Sequence, residues 1–185
     1  MPDGTGLLKF AEEFPDRYFD VGICEQHGAG FGSGLAFGGL RPVFAVYSTF
    51  AQRAYDQLIH DVCIQENSVI FCLDRAGLTG EDGWTHHGVF DISFMRCVPG
   101  MVLMAPRDGK ELEEMLQLAV DQTTTPVAIR YPKATAPEFP AARTQDLRIG
   151  KAEVLAEGEG VALFAYGSMV ESAWLALCLL YTSPS

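Results

Sequence analysis

Short apolar runs alternate with longer segments of helical period along most of the chain. The apolar runs at 18–23, 42–47, 69–73, 101–105 and 127–131 predict strands, and the segments at 25–37, 49–65 and 108–122 predict helices. Strands that alternate with helices in this way are typical of parallel sheets. We therefore expect an α/β fold, with a mostly parallel sheet flanked by helices.

The segment 108–122 carries the clearest helical pattern. Asp108 is placed to cap its N-terminus, and Glu111 follows three residues later, as in a capping box. One stripe of the helix is apolar, which predicts a face packed on the sheet. Its members are Leu112, Met115, Leu116, Ala119 and Val120.

The pattern changes after the last predicted strand. We expect a first domain at 1–133 and a linker at 134–148, which is rich in Pro, Ala and Thr. The truncated start of a second α/β domain is expected at 149–185, with strands at 149–155 and 161–166 and a helix from Met169. The tail from Leu179 is expected to be a truncation or a foreign end that does not continue this helix.

Composition narrows the classes of partner. The 185 residues are 48% hydrophobic and 20% charged, as in a soluble globular protein, and the net charge is -11 with a pI near 4.7. This charge opposes binding to nucleic acid or to an anionic membrane. A phosphate-bearing ligand would therefore have to be held by a few placed arginines.

The cysteines and the N-terminus bear on the compartment. The five cysteines are widely spaced, form no C-x-x-C pair and mostly lie in apolar runs, which predicts reduced core thiols and a cytoplasmic location. No secretory signal and no apolar run of bilayer-spanning length is visible in these residues.

We look for candidate site residues where the predicted strands end, because ligands of open α/β sheets bind there. Glu25 follows the first apolar run and either complements a helix dipole or hydrogen-bonds a ring nitrogen of a heteroaromatic ligand. Tyr47 and Phe50 are either core aromatics or pocket walls. Arg53 could form a surface pair with Asp56 or Gln57.

The loop at 74–88 contains four glycines and is costly to order unless it has a function. It holds Arg75, Asp82, His86 and His87. Adjacent histidines usually diverge, so we expect no metal site and favour acid/base or anion-binding work for His86. Arg130, at the end of the strand at 127–131, either pairs with an acidic neighbour or joins Arg75 in binding a sugar phosphate.

Five motifs, in this order and spacing, resemble the 1-deoxy-D-xylulose-5-phosphate synthase family. They are FPDRYFDVGICEQH, VYSTFAQRAYDQLIHDV, LDRAGLTGEDGWTHHGVFD, PGMVLMAPRD and IRYPKA. The resemblance implies that residues 1–133 are a transketolase-like pyrimidine-binding domain lacking its first strand-helix unit. The start of a transketolase-type C-terminal domain would follow. It also implies a thiamine diphosphate-dependent condensation of pyruvate with glyceraldehyde 3-phosphate, with release of carbon dioxide, in the non-mevalonate isoprenoid pathway.

The resemblance also implies roles for single residues. Glu25 would bind the pyrimidine ring of the cofactor and assist its proton transfer, and Phe50 would stack on that ring. The substrate side would be formed by Tyr47, Arg53, Arg75, Asp82, His86 and Arg130, with proton handling by His86. Mg²⁺ ligands would lie on a diphosphate-binding domain that these residues do not contain. The fragment alone is then expected to be inactive, and the intact protein is expected to be a homodimer.

Two alternatives remain open from the sequence. Another thiamine diphosphate enzyme, such as a transketolase or the β subunit of a 2-oxo acid dehydrogenase, would share the domain and a matching glutamate. A non-catalytic α/β interaction module would use Glu25 and the glycine-rich loop only for packing or protein contact. Trp84 and His87 also depart from the residues usual in the synthase family at these positions, which bears on details of the loop.

Overall fold

A parallel four-stranded sheet forms the centre of the fold. The computed structural model describes residues 3–122, 124–139 and 146–182. The strands are β1 (Val43–Tyr47), β2 (Ile70–Asp74), β3 (Val102–Met104) and β4 (Val127–Arg130), arranged in the order β1-β2-β4-β3. All three pairings are parallel. The predicted parallel α/β fold is confirmed.

The register of the sheet brings three strand ends together. Tyr47 of β1 pairs with Asp74 of β2, and Leu73 of β2 pairs with Arg130 of β4. Because these strands run parallel, the loops that follow them leave from one edge of the sheet. The polar residues predicted at strand ends therefore share that edge.

Six α-helices lie among the described residues. They are α1 (Leu8–Glu13), α2 (Glu25–Phe37), α3 (Tyr55–Gln57), α4 (Asp91–Arg96), α5 (Gly109–Gln122) and α6 (Met169–Thr182). The predicted helix at 49–65 is irregular: a 3₁₀ turn at Phe50–Ala54 precedes α3, and a π-helical turn at Leu58–Cys63 follows it. Helix α4 is only six residues long, which is too short for a helical repeat to be recognised in the sequence.

Apolar side chains cover both faces of the sheet, because successive residues of a strand point to opposite sides. One cluster includes Phe71, Leu73 and Ala128 and packs on the helical segments before and after β1. The other includes Ile70, Cys72, Val127 and Ile129, and it packs on Met115 and Ala119 of α5. The apolar stripe predicted for α5 is thus a core face at Met115 and Ala119, but Leu116 is exposed and Leu118, outside the predicted stripe, is buried.

The predicted cap of α5 is present. Asp108 Oδ1 accepts a hydrogen bond from the Glu111 backbone N–H at 2.8 Å. Glu111 Oε2 in turn accepts one from the Arg107 N–H at 2.7 Å, so the reciprocal bond lies one residue earlier than in a standard capping box. These two bonds satisfy donors that a helix start leaves unpaired.

The apolar run at 18–23 is not a strand. Asp20 Oδ1 accepts the Gly22 N–H at 2.9 Å, Gly22 has a φ of +67°, and Phe19 and Ile23 are exposed. A left-handed residue and a local side-chain bond turn the chain away from the extended form. The prediction from apolar content alone was wrong here.

The predicted strands at 149–155 and 161–166 are also absent from the described residues, and Val154, Val161 and Phe164 are exposed. Extended segments need a pairing partner to be stable, and the described part of the chain provides none for them. The helix at Met169 is confirmed, but it continues to Thr182, because its leucines and alanines are good helix formers. Residues 140–145 of the expected linker and 183–185 of the tail lie outside the described residues.

The cysteine prediction is only partly confirmed. Cys63 and Cys72 are buried, and burial raises the pKa of their thiols to about 11 and about 12. Cys24, Cys97 and Cys178 are exposed. Among the described residues, no helix combines the length and apolar character needed to cross a bilayer.

Candidate functional site

Glu25 is the first residue of α2 and is largely buried. Its carboxylate lies where the backbone N–H groups of a 13-residue helix favour negative charge. Gly28, one turn later, lets α2 approach β1, since a Cβ there would lie 2.6 Å from the Phe44 ring. The packing of α2 on the sheet therefore fixes where the carboxylate points.

Arg53 binds Glu25 instead of the predicted surface partner. Its Nη1 donates to Glu25 Oε1 at 2.8 Å, and the Arg53 side chain is 48% exposed against 10% for Glu25. The guanidinium carbon lies 4.6 Å from the centroid of Phe50. This stacking follows from the 3₁₀ turn, in which residues three apart eclipse one another. Asp56 bonds His60 instead.

Three aromatic rings form the next part of the site. Tyr47 and Phe50 are nearly parallel with centroids 5.7 Å apart, and His86 meets the Phe50 ring edge-on at 5.4 Å. His86 Nδ1 is 2.9 Å from Thr85 Oγ1, which leaves Nε2 as the nitrogen without a hydrogen bond in the described part of the chain. His86 is thus placed for acid/base work beside Phe50.

The two adjacent histidines have different environments. His87 Nδ1 accepts the Thr79 backbone N–H at 3.1 Å, and the Thr79 hydroxyl lies 3.0 Å from the same nitrogen. His87 therefore closes the loop on itself, whereas His86 faces the aromatic rings. The described residues contain no group of three or more His, Cys, Asp or Glu side chains that could hold a metal ion.

Arg75 is buried at the end of β2 and is engaged on several sides. Its Nε donates to Asp82 Oδ2 at 2.8 Å, and its Nη1 donates to Asp74 Oδ2 at 2.5 Å and to the Gly4 carbonyl at 2.8 Å. The guanidinium lies 3.8 Å from the centroid of Tyr47. The backbone of Arg75 has a φ of +59°, in the left-handed region that suits glycine.

The carboxylates around Arg75 have opposite pKa shifts. Burial raises the pKa of Asp74, against the lowering effect of the adjacent Arg75. Hydrogen bonds from Lys133 and Arg75 lower the pKa of Asp82. Burial alone would lower the pKa of Arg75, but the bond to Asp82 and the charge of Asp74 outweigh it and raise that pKa. Asp82 therefore stays ionised to lower pH than Asp74 does.

The loop at 74–88 is held at both ends. Gly77 and Gly88 exchange two backbone hydrogen bonds of 2.8 Å. A Cβ at Gly88 would lie 2.5 Å from the Arg75 carbonyl and would also collide with the Ser48 side chain, which is fully buried. Glycine is thus required at this position for the loop to close over the end of β1.

Arg130 lies at the neighbouring strand end and is not part of these contacts. Its Nε donates to Asp91 Oδ2 at 2.8 Å, so the acidic neighbour of this side chain is Asp91. Lys133, three residues later, donates to Asp82 Oδ1 at 2.6 Å. The site thus has two parts: the pair of Arg130 and Asp91, and the contacts around Arg75. Lys133, which follows β4, connects to the second part through Asp82.

Seven of the eight predicted site residues form one continuous series of contacts. It runs through Glu25, Arg53, Phe50, Tyr47, His86, Arg75 and Asp82. Sequence reasoning missed three charged partners, which are Asp74, Asp91 and Lys133. Of these, Asp91 carried a usable signal, since it is a charged residue within an otherwise mostly apolar segment.

Two grooves of about 420 and 310 Å³ lie elsewhere, against α5. The larger is lined by Arg107, whose guanidinium already binds Glu153 and Asp108, and by further acidic residues of α5. Arg107, Asp108 and Glu111 of this groove are thus already engaged with one another and in the cap of α5. We therefore place the site at Glu25, where a carboxylate, an imidazole and stacked rings converge.

Comparison with known proteins places the chain among named relatives. A curated relative from Thermomicrobium roseum, named 1-deoxy-D-xylulose-5-phosphate synthase, is 58% identical over 92% of this chain and 27% of its own length. Another of the same name, from Caldanaerobacter subterraneus, is 57% identical over 94% of the chain and 28% of its own length. The resemblance inferred from the five motifs is confirmed, and the chain spans little more than a quarter of these relatives.

Solved structures show the same architecture. A structure titled as the inactive β4 tetramer of a split-gene transketolase superposes with a TM-score of 0.84 at 28% identity, covering 96% of this chain and 57% of the other. A Pichia stipitis transketolase mutant, at 20% identity and a TM-score of 0.73, shares the fold over 86% of this chain and 24% of its own. The family model of the transketolase pyrimidine binding domain matches residues 1–138. The chain belongs to the transketolase pyrimidine binding domain family.

Proposed function

We propose that this chain is part of a thiamine diphosphate-dependent synthase that condenses pyruvate with glyceraldehyde 3-phosphate. The product would be 1-deoxy-D-xylulose 5-phosphate, with release of carbon dioxide. The observation that carries the proposal is the joint placement of Glu25 and Phe50 through Arg53, which contacts both. The names of the relatives support the choice of reaction.

The proposal assigns parts of the protein to this chain. Residues 1–133 would be the pyrimidine-binding domain, 134–148 a linker and 149–185 the start of the C-terminal domain. The diphosphate group and its Mg²⁺ would be held by a diphosphate-binding domain elsewhere in the intact protein. This chain alone would then be inactive, and the intact enzyme would be a cytoplasmic homodimer.

The residues present fit the pyrimidine end of thiamine diphosphate. Such a ring is flat, apolar on its faces and bears nitrogens at its edge. Phe50 offers an aromatic surface, and Glu25 offers a second carboxylate oxygen, Oε2, that makes no hydrogen bond within the described residues. When bound, the cofactor supplies the carbon nucleophile and the electron sink that amino acid side chains lack.

Glu25 would act as a hydrogen-bonding group and proton carrier through Oε2. Its partly buried position strengthens a hydrogen bond, because the effective dielectric is lower there than in water. Arg53 holds Oε1 and so directs the other oxygen toward the ligand. Positioned proton transfer of this kind contributes ~10²–10⁴ in rate.

The substrate side would lie around Tyr47 and His86. The free Nε2 of His86 can donate or accept a proton beside Phe50. Asp82, kept ionised by Lys133 and Arg75, fixes the loop that carries His86. The buried Arg75 would thus contribute chiefly by holding Tyr47 and Asp82, and Arg130 would present cationic donors to the acceptor phosphate.

The test uses the intact protein, purified and supplied with thiamine diphosphate and Mg²⁺. Pyruvate and glyceraldehyde 3-phosphate should together give carbon dioxide and a five-carbon ketose monophosphate, detected by mass spectrometry. Transfer from a ketose phosphate donor with no reaction of pyruvate would instead indicate a transketolase. Failure to bind thiamine diphosphate at all would indicate a non-catalytic module.

A further inference from the structure

The pair formed by Asp91 and Arg130 is the most deeply buried ion pair described at the functional edge of the sheet. The Asp91 side chain is 0% exposed and that of Arg130 is 14% exposed, with Nε and Oδ2 at 2.8 Å. Asp91 is the first residue of α4, and Arg130 is the last residue of β4. The bond therefore ties the end of the glycine-rich loop region to the end of a strand.

Both oxygens of Asp91 are used. Oδ1 accepts the Ile92 backbone N–H at 2.8 Å, and Oδ2 accepts Arg130 Nε. A buried carboxylate without a cationic partner is strongly disfavoured, so the position of Asp91 requires the guanidinium beside it. This requirement explains why the pair exists, but not why the guanidinium is bound through Nε only.

Binding through Nε leaves the far end of the guanidinium available. Within the described residues, the two Nη groups of Arg130 make no hydrogen bond, and neither is buried without a partner. A planar guanidinium held at Nε cannot rotate freely, so its two Nη donors keep one orientation. Two parallel N–H donors of fixed orientation match the spacing of two phosphate oxygens.

The other cations of the site lack this arrangement. Arg75 donates hydrogen bonds from Nε and Nη1 to two carboxylates and a carbonyl. Arg53 uses one Nη on Glu25 and stacks on Phe50. Lys133 is bound to Asp82 by its single ammonium group. Among the described cations of the site, Arg130 is thus the one whose two Nη groups are held in one orientation and make no hydrogen bond.

We propose that Asp91 is a positioning residue that holds Arg130 through Nε, so that the Nη pair forms a fixed fork for the phosphate group of the acceptor substrate. The inference rests on the proposed function, because it assumes that a phosphorylated acceptor binds at this edge. Asp91 itself touches no substrate. Its contribution is to the recognition of phosphate and not to the chemistry at the reacting carbon.

The decisive variant is Asp91→Asn in the intact enzyme, which keeps the side-chain size and removes the charge that orients Arg130. The KM for glyceraldehyde 3-phosphate should rise about tenfold or more, while kcat and the KM for pyruvate change by less than about threefold. The KM for unphosphorylated D-glyceraldehyde should stay at its wild-type value. Equal rises for the phosphorylated and unphosphorylated acceptors would overturn the proposal.

A matched control separates positioning from stability. Asp108→Ala removes the cap of α5, where Asp108 bonds the Glu111 N–H, and so weakens the fold without contacting Arg130. This variant should lower the unfolding temperature but leave the ratio of the two acceptor KM values unchanged. If it changes the ratio as much as Asp91→Asn does, the effect is one of stability and the inference is wrong.

Two further measurements cover the remaining outcomes. If Asp91→Asn does not fold, Asp91→Glu keeps the ion pair but displaces the guanidinium, and it should raise the acceptor KM ratio in the same direction. Inorganic phosphate binding, measured by calorimetry, should weaken about tenfold in either variant, even if the intact protein catalyses a different reaction. Equal phosphate affinity in the variant and wild type would refute the role of Asp91, whereas absence of turnover with tight phosphate binding would refute only the proposed reaction.

Discussion

The replacement of Glu25 by glutamine tests the site most directly, because it removes one charge and almost no volume. The loss of a charge-assisted hydrogen bond costs about 1.5–3 kcal/mol when both groups are buried. Arg53 is 48% exposed and can be solvated in the variant, so the expected cost in unfolding free energy is nearer about 1 kcal/mol. For a chain of this size that corresponds to a drop of roughly 2–4 °C in the unfolding temperature.

The expected effect on catalysis is much larger. A glutamine amide can still meet Arg53, but it cannot accept and return a proton, so turnover of pyruvate with glyceraldehyde 3-phosphate should fall ~10²–10⁴-fold. This loss corresponds to about 3–5 kcal/mol in the activation free energy. A rise in activation free energy that is much larger than the loss of unfolding free energy would identify a functional carboxylate, and not one that only caps α2.

The assay combines carbon dioxide release by the intact enzyme with thermal unfolding of the same preparation. Ser33→Ala is the matched control, since Ser33 lies on the same helix and its buried hydroxyl bonds Asn67 and the Asp61 carbonyl. It should cost about 1–3 kcal/mol of stability yet keep near-normal turnover. Turnover of Glu25→Gln within tenfold of the wild type, or an equal loss in Ser33→Ala, would refute the reasoning.

Three other predictions concern the loop and the thiols. Gly88→Ala should destabilise the chain by about 1–3 kcal/mol in urea unfolding, because its Cβ collides with Ser48; an unchanged midpoint would contradict the close approach. The pKa of Asp82 is lower in the folded chain than its ordinary value of 3.8, so its charge stabilises the fold above that pH, and this stabilisation is lost as the pH falls through the lower folded-state pKa. Asp82→Asn should therefore flatten the decline of the unfolding temperature below pH 3.8, and parallel declines would count against the network. At pH 8, Cys63 and Cys72 should react with a thiol reagent far more slowly than the three exposed cysteines, and rapid modification of all five would disprove their burial.

The sequence predicted the sheet and α5 well, because both depend on local periodicity and burial. Val127, Ala128 and Ile129 form a short apolar run rich in β-branched residues, which favours a buried strand, and Asp108 is a strong helix start. The run at 18–23 was misread because apolar content says nothing about a pairing partner. The strands expected at 149–155 and 161–166 failed for the same reason.

The sequence predicted which residues form the candidate site, but not the contacts between them. The strand ends of a parallel sheet determine that Tyr47, Arg75 and Arg130 share an edge, which follows from topology alone. The pairing of Arg53 with Glu25 depends on a 3₁₀ turn that helical periodicity does not distinguish from an α-helix. Some of the carboxylates that bind the cations are distant in sequence, as with Asp91 and Arg130, which are 39 residues apart. Such pairs become visible only when the chain is folded.

The left-handed backbone at Arg75 has a consequence for tolerance to substitution. Most residues would retain the strain of this conformation and lose the interactions of the guanidinium, so a saturation library at position 75 should be depleted of nearly every alternative. Glycine should be the best tolerated for folding and yet inactive, since it relieves the backbone while releasing Tyr47 and Asp82. Position 75 is therefore a point where selection for a stable fold and selection for a working site demand different amino acids.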